Sequence, residues 1–92
     1  MSKKIVIFTL NGCHHCQSLK NSLNDLSIQY NEIEVSTEEG GKIFDTIVKE
    51  TGKSTIPTVI IIDESTNISE VYVPDLHFHS EDEIIQIIKS NL

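Results

Sequence analysis

The chain has no arginine and no tryptophan, and only 5% of its 92 residues are aromatic. Seven basic side chains face fourteen acidic ones, a formal net charge of -7. A polyanion is bound by clustered Lys and Arg, and no such stripe is present, so nucleic-acid binding is not expected. The same imbalance disfavours acidic partners and suits a partner with a basic docking face. No stretch approaches the roughly 18–20 consecutive apolar residues of a membrane span. The opening MSKKIVIFTLNG has a basic pair but only a short apolar run, with no small-residue cleavage signal after it. It reads as a first strand and not a signal peptide, which predicts a soluble, cytoplasmic product. There are only two cysteines, separated by two residues. The disulfide framework of a secreted mini-protein needs more of them at wider spacing.

What is present is aliphatic: 38% of the chain is hydrophobic, mostly Ile, Val and Leu. Ninety-two residues suffice for one modest core, so residues 1–92 are expected to form a single domain. Residues 4–10 (KIVIFTL) are β-branched and continuous, as in a strand buried on both faces. From Cys13 the period changes: Cys16, Leu19, Leu23 and Leu26 fall on one face of a helix. A second strand follows at 28–35 (IQYNEIEV). Ser36 or Thr37 can cap the next helix, whose first turn holds Glu38 and Glu39 where carboxylates suit the macrodipole. Gly40 and Gly41 are expected to weaken that start. Ile43, Phe44, Ile47 and Val48 give its apolar face, and Thr51-Gly52 ends it. Residues 58–63 (TVIIID) and 68–73 form a hairpin stopped by Pro74, which lacks a ladder donor. Ser80 with Glu83 makes a capping box for a last helix bearing Ile84, Ile85, Ile87 and Ile88. The order is βαβαββα: an α/β fold, with parallel pairing across the crossovers and an antiparallel hairpin at the end.

The chemistry lies at Cys13-His14-His15-Cys16. Two intervening residues at a helix start let both sulfurs reach bonding distance. Cys13 would meet unpaired backbone N–H groups and the positive end of the helix, which favour a thiolate. Cys16, a turn further in, would be more buried with a higher pKa. Cys13 is therefore the candidate attacking thiol and Cys16 the resolving one. Two structural thiols, or half of a zinc or Fe–S site, are the competing readings. His14 and His15, when protonated, would favour the Cys13 thiolate further. Four consecutive residues cannot readily converge on one tetrahedral ion, so no metal is assigned to them. His77 and His79 read as surface-loop residues, with metal binding as the competing reading. Thr55-Ile56-Pro57 precedes the third strand. A cis Ile56–Pro57 bond would expose the Ile56 backbone to an extended substrate, whereas a trans proline would simply begin the strand.

The segments IVIFTLNGCHHCQSLKNSL and VKETGKSTIPTVIIID, in that order, resemble the glutaredoxin family over nearly the whole chain. The resemblance implies a thioredoxin-like fold, with a four-stranded mixed sheet ordered 2-1-3-4 and helices on both faces. It implies that Cys13 attacks, Cys16 resolves, Pro57 is the cis-proline and Ile56 holds the cysteinyl part of glutathione. Three departures from the family pattern stand out: Asn11 where a Lys or Arg is usual, His14 in place of proline, and Tyr72-Val73-Pro74-Asp75 in place of a Gly-Gly before a capping Asp. They suggest an atypical CHHC active site and an altered glutathione-binding region, in which Lys49 or Lys53 could compensate and Asp75 could keep a capping role.

The resemblance further implies a thiol–disulfide oxidoreductase that reduces protein disulfides or glutathione mixed disulfides, with glutathione as co-substrate and no permanently bound cofactor. Its partners would be disulfide-containing or glutathionylated proteins, with glutathione and glutathione reductase behind it, and it would act as a monomer away from membranes and nucleic acid. The alternatives are a redoxin coupled to thioredoxin reductase without glutathione, or an Fe–S or metal-carrying module.

Overall fold

The computed structural model describes residues 3–92. Its elements are β1 (Lys3–Thr9), α1 (His14–Asp25), β2 (Asn31–Glu34), α2 (Glu38–Thr51), β3 (Thr58–Asp63), β4 (Ile68–Tyr72) and α3 (Glu81–Ser90). The strands form one four-stranded sheet in the order β2-β1-β3-β4. β1 pairs in parallel with β2, β1 with β3 antiparallel, and β3 with β4 antiparallel. This is the expected βαβαββα thioredoxin-like architecture.

β1 reads as a continuous apolar run because both its faces are covered. Successive side chains point to opposite sides of a strand. Ile5 and Ile7 join Val59, Ile61 and Phe78 under α1 (Leu19, Leu23) and α3 (Ile84, Ile88). Val6 and Phe8 turn the other way, towards Phe44 and Ile47 of α2 and the buried Val73. The Phe8 and Phe44 rings lie 5.8 Å apart, centroid to centroid. Each fully buried aliphatic side chain contributes about 1.5–3 kcal/mol relative to exposure, so these two layers hold the sheet between the helices.

The helix signals hold with adjustments. Cys13, Thr37 and Ser80 are the three N-caps, each with its side chain accepting a backbone N–H three residues on. Gly52, at φ 75°, closes α2 in the left-handed conformation that glycine adopts freely. The Ser80–Glu83 box is altered: the Glu83 carboxylate accepts the N–H of His79, one residue before the cap. Leu26 and Ile43, placed on apolar faces by their spacing, are exposed.

Two expectations are corrected. The second strand is four residues, not eight. Ser27 is left-handed (φ 58°) and Ile28 N–H donates to Leu23 O (2.9 Å), so residues 28–30 finish the helix and cross to the sheet before pairing begins at Asn31. Ile28 and Tyr30 still pack against the core, which is why their alternation resembled a strand. Gly40, expected to weaken α2, is required there. A Cβ on it would lie 2.1 Å from the Glu34 carbonyl oxygen, so only glycine lets α2 start against the end of β2. Among the described residues, no helix is long and apolar enough to cross a membrane.

Candidate active site

β1 ends at the mouth of the site. Beyond it Gly12 takes a positive φ of 86°, and Cys13 N–H donates to Leu10 O at 3.0 Å, closing a tight turn into α1. Cys13 is the helix cap, and its Sγ accepts the Cys16 N–H at 3.2 Å. It is half-buried, whereas Cys16 is 1% exposed. The two form a disulfide with Cα atoms 5.3 Å apart. The first turns of α2 and α3 carry Glu38 and Glu39, and Glu81, Asp82 and Glu83; that of α1 carries no acid. The positive end of α1 is thus left to the Cys13 sulfur, and no nearby first-turn carboxylate competes with a thiolate for it.

The base of α1 is tied to the sheet. Glu32 of β2 accepts the hydroxyl of Thr9, the last residue of β1 (2.6 Å), and the ammonium of Lys20 of α1 (2.9 Å). The Thr9 bond first, then the Lys20 bond, holds the Glu32 carboxyl below its ordinary value.

Across the sheet end lies the second wall. Phe8 pairs with Thr58, so Pro57 is level with the end of β1 from which Cys13 follows. The Ile56–Pro57 bond is cis. Between this segment and the loop after β4 runs a groove of about 530 Å³ whose walls include His15, Ile56, Pro57, Pro74, Asp75 and His79. Its floor is Leu19, Phe78 and Ile84, all core residues. Thr55 bridges the two sides, its hydroxyl donating to Pro74 O at 2.9 Å, while Thr58 donates to Thr55 O at 2.8 Å.

Of the residues picked out from sequence, His15, Ile56, Pro57 and Asp75 converge on the groove, next to the Cys13–Cys16 disulfide. His14 is exposed and does not line it. Lys49 sits exposed in the last turn of α2, where a cation suits the helix end, and is not a groove residue. Asp75 is not the helix cap: it takes φ 68° in a turn whose N–H donates to Phe78 O, and Ser80 caps α3. Thr55, His79 and Glu81 also line the groove; Thr55 carried a signal as part of the TIP segment and His79 as one of the His77/His79 pair, read as a surface-loop residue. Among the described residues no group of three or more His, Cys, Asp or Glu is arranged to hold a metal ion.

The sequence pattern of the Glutaredoxin family matches residues 5–65, a stretch that contains β1, the disulfide, Pro57 and β3. The chain belongs to the glutaredoxin family. A glutaredoxin of Ricinus communis is 36% identical over 61 residues, 65% of this chain and 60% of that protein. Glutaredoxin 1 of Rickettsia prowazekii is 42% identical over 59 residues, 62% of this chain and 60% of that one. The match thus spans about three fifths of the length of these curated relatives. The buckwheat glutaredoxin–glutathione complex superposes on 97% of this chain and 71% of its own, with a TM-score of 0.61 at 20% identity, a likeness of fold.

Family membership corrects one expectation from sequence. The chain does not stand apart as an atypical CHHC variant with an altered glutathione-binding region. It has the glutaredoxin two-cysteine CxxC disulfide, with His14 and His15 in the two intervening positions. The physical reason is that cap geometry and sulfur placement depend on Cys13 and Cys16, while both histidine side chains are exposed and leave that geometry alone.

Proposed function

We propose that this chain is a thiol–disulfide oxidoreductase that reduces protein disulfides or glutathione mixed disulfides, with glutathione as co-substrate and residues 1–92 acting as one glutaredoxin-like domain. The observation that carries the reading is the asymmetry of the cysteine pair: Cys13 half-exposed on a helix N-terminus with its sulfur accepting a backbone N–H, Cys16 buried behind it.

In the reduced protein the Cys16 N–H and the helix end stabilise Cys13 as a thiolate. That thiolate attacks one sulfur of the substrate disulfide. The substrate S–S bond breaks, its other sulfur leaves as a thiolate, and Cys13 is joined to the substrate. Cys16, deprotonated, then attacks the Cys13 sulfur, releasing the second substrate thiolate and forming the Cys13–Cys16 disulfide. Two glutathione thiols restore the dithiol, each giving one electron, and leave as glutathione disulfide. The groove between Ile56–Pro57 and Pro74–Asp75 is the proposed seat of the substrate chain leading to the attacked sulfur, with His15 at its edge. The solved relative bound to glutathione, of the same fold, supports glutathione as the co-substrate.

The test is NADPH consumption with a small disulfide, coupled either through glutathione and glutathione reductase or through thioredoxin reductase. Turnover through glutathione is expected, with loss of at least a hundredfold in Cys13→Ser. Retention of activity in Cys13→Ser would sink the assignment. Turnover through thioredoxin reductase alone would remove glutathione from it.

A further inference from the structure

β4 ends at Tyr72, and the next residue, Val73, is fully buried at 0% exposure. Its N–H finds its acceptor in a side chain: it donates to Nδ1 of His77 at 2.9 Å. The Val73 carbonyl in turn accepts the N–H of His77 (2.9 Å) and of Leu76 (3.2 Å). One residue therefore clasps Val73 from both sides and folds residues 73–79 into a tight turn, closed by Asp75 N–H donating to Phe78 O at 2.8 Å. That turn supplies Pro74, Asp75, Phe78 and His79 to the groove, while His77 itself is not a lining residue. It also lies beyond residues 5–65, the stretch that carries the family match.

An imidazole can accept at Nδ1 only when neutral, with its proton on Nε2. We infer that His77 is the positioning residue of the substrate groove: its neutral ring holds the 73–79 wall in place, and a proton on Nδ1 releases that wall. Val73, buried, has no water to replace the lost acceptor, so its N–H must move to find one. The His77 ring is reachable by solvent protons because the residue is exposed. The titratable groups around it are few. β4 supplies Tyr72, whose ring meets the imidazole edge-on at 6.0 Å and whose hydroxyl donates to Glu70. The turn supplies Asp75 and His79, and α3 supplies Glu83, which accepts the His79 N–H.

This inference rests on the oxidoreductase reading for its kinetic arm, and a second arm is independent of activity. Asparagine places an oxygen acceptor where Nδ1 stands; glutamine reaches to Nε2 instead. In the glutathione-coupled assay, His77→Ala and His77→Gln should raise KM on the order of tenfold with kcat within about twofold, and His77→Asn should restore KM. Acidification should raise KM in the wild type and not in His77→Asn. In the second arm, Val73 amide exchange is followed by NMR in all four oxidised proteins. Faster exchange in the Ala and Gln variants, restored in Asn, is expected whether or not turnover is found. Equal Val73 exchange in all four proteins overturns the clasp. Loss of kcat with KM unchanged overturns the positioning role. Absence of turnover in the wild type with the expected exchange pattern counts against the oxidoreductase reading alone.

Discussion

The two faces of the sheet are packed differently. One face lies under two helices, α1 and α3, and its core residues Leu19, Phe78 and Ile84 continue into the floor of the groove. The other lies under α2 alone, packs Phe8 on Phe44, and closes by letting Gly40 touch the end of β2. Two helices side by side leave a trough at their open end, and the cysteine pair sits at its edge. The lesson is that one face lends core residues to the floor of the groove, whereas the other meets the groove only at its rim, where Ile56 packs against the α2-side core and buried Val73 precedes Pro74.

Truncating one core residue on each face breaks that comparison most sharply. Ile84→Ala should cost about 2–5 kcal/mol and Phe44→Ala about 3–5 kcal/mol in urea unfolding. Ile84→Ala should also raise KM in the disulfide assay, and by more than Phe44→Ala, because Ile84 is in the groove floor and Phe44 is not; an equal rise in both would show that the groove depends on the two faces alike. Gly40→Ala should come next, at about 1–3 kcal/mol, because its methyl would overlap the Glu34 carbonyl and push α2 off the sheet, with any rise in KM likewise below that of Ile84→Ala. Ser80→Ala removes the cap of α3 beside the groove and should cost about 1 kcal/mol, read as a lowered thermal midpoint.

The smallest effect is acid sensitivity at two carboxylates, the half-buried Asp63 and the exposed Glu32. Asp63, at the far end of β3, is held down to about 2 from 3.8, first by the Ser65 hydroxyl, then by the Ser65 N–H, with Lys3 adding charge. Glu32 is lowered from 4.5 by Thr9 and Lys20. A native value below the unfolded one means that the unfolded chain takes up the proton first. The stabilisation is therefore whole above the ordinary carboxylate range and drains away as the pH falls through the lower native values. For Asp63 the window runs from 3.8 down to about 2. Ser65→Ala should move the Asp63 titration upward, as followed by its carboxyl carbon shift, and flatten stability across that window.

What was legible in the sequence were the features that a segment decides alone. Residues 58–63 are a strand as read, because β-branched residues bounded by Pro57 and a polar turn leave little choice. Thr37, Ser80 and the Cys13 cap follow from local side-chain chemistry. Features that depend on remote partners were not legible. The crossing at 28–30 needs the core beneath it to explain why Ile28 and Tyr30 are apolar without being paired. Gly40 looks like a weak helix start until the Glu34 carbonyl is seen against it. His77 looks like a surface residue, and it is exposed, but its ring nitrogen answers a buried N–H that spacing cannot reveal. In the site, the cysteine pair and the TIP segment stand out in the sequence and Asp75 by resemblance; the turn that brings Pro74, Asp75, Phe78 and His79 together at the groove does not.

The brevity of β2 has a consequence beyond packing. It is an edge strand, so its outer row of peptide groups is open to any passing extended chain. Four residues offer such a chain little to zip onto, and two of them are glutamates, Glu32 and Glu34. A longer, neutral edge would be a template for aggregation. This one is built to turn a stray strand away.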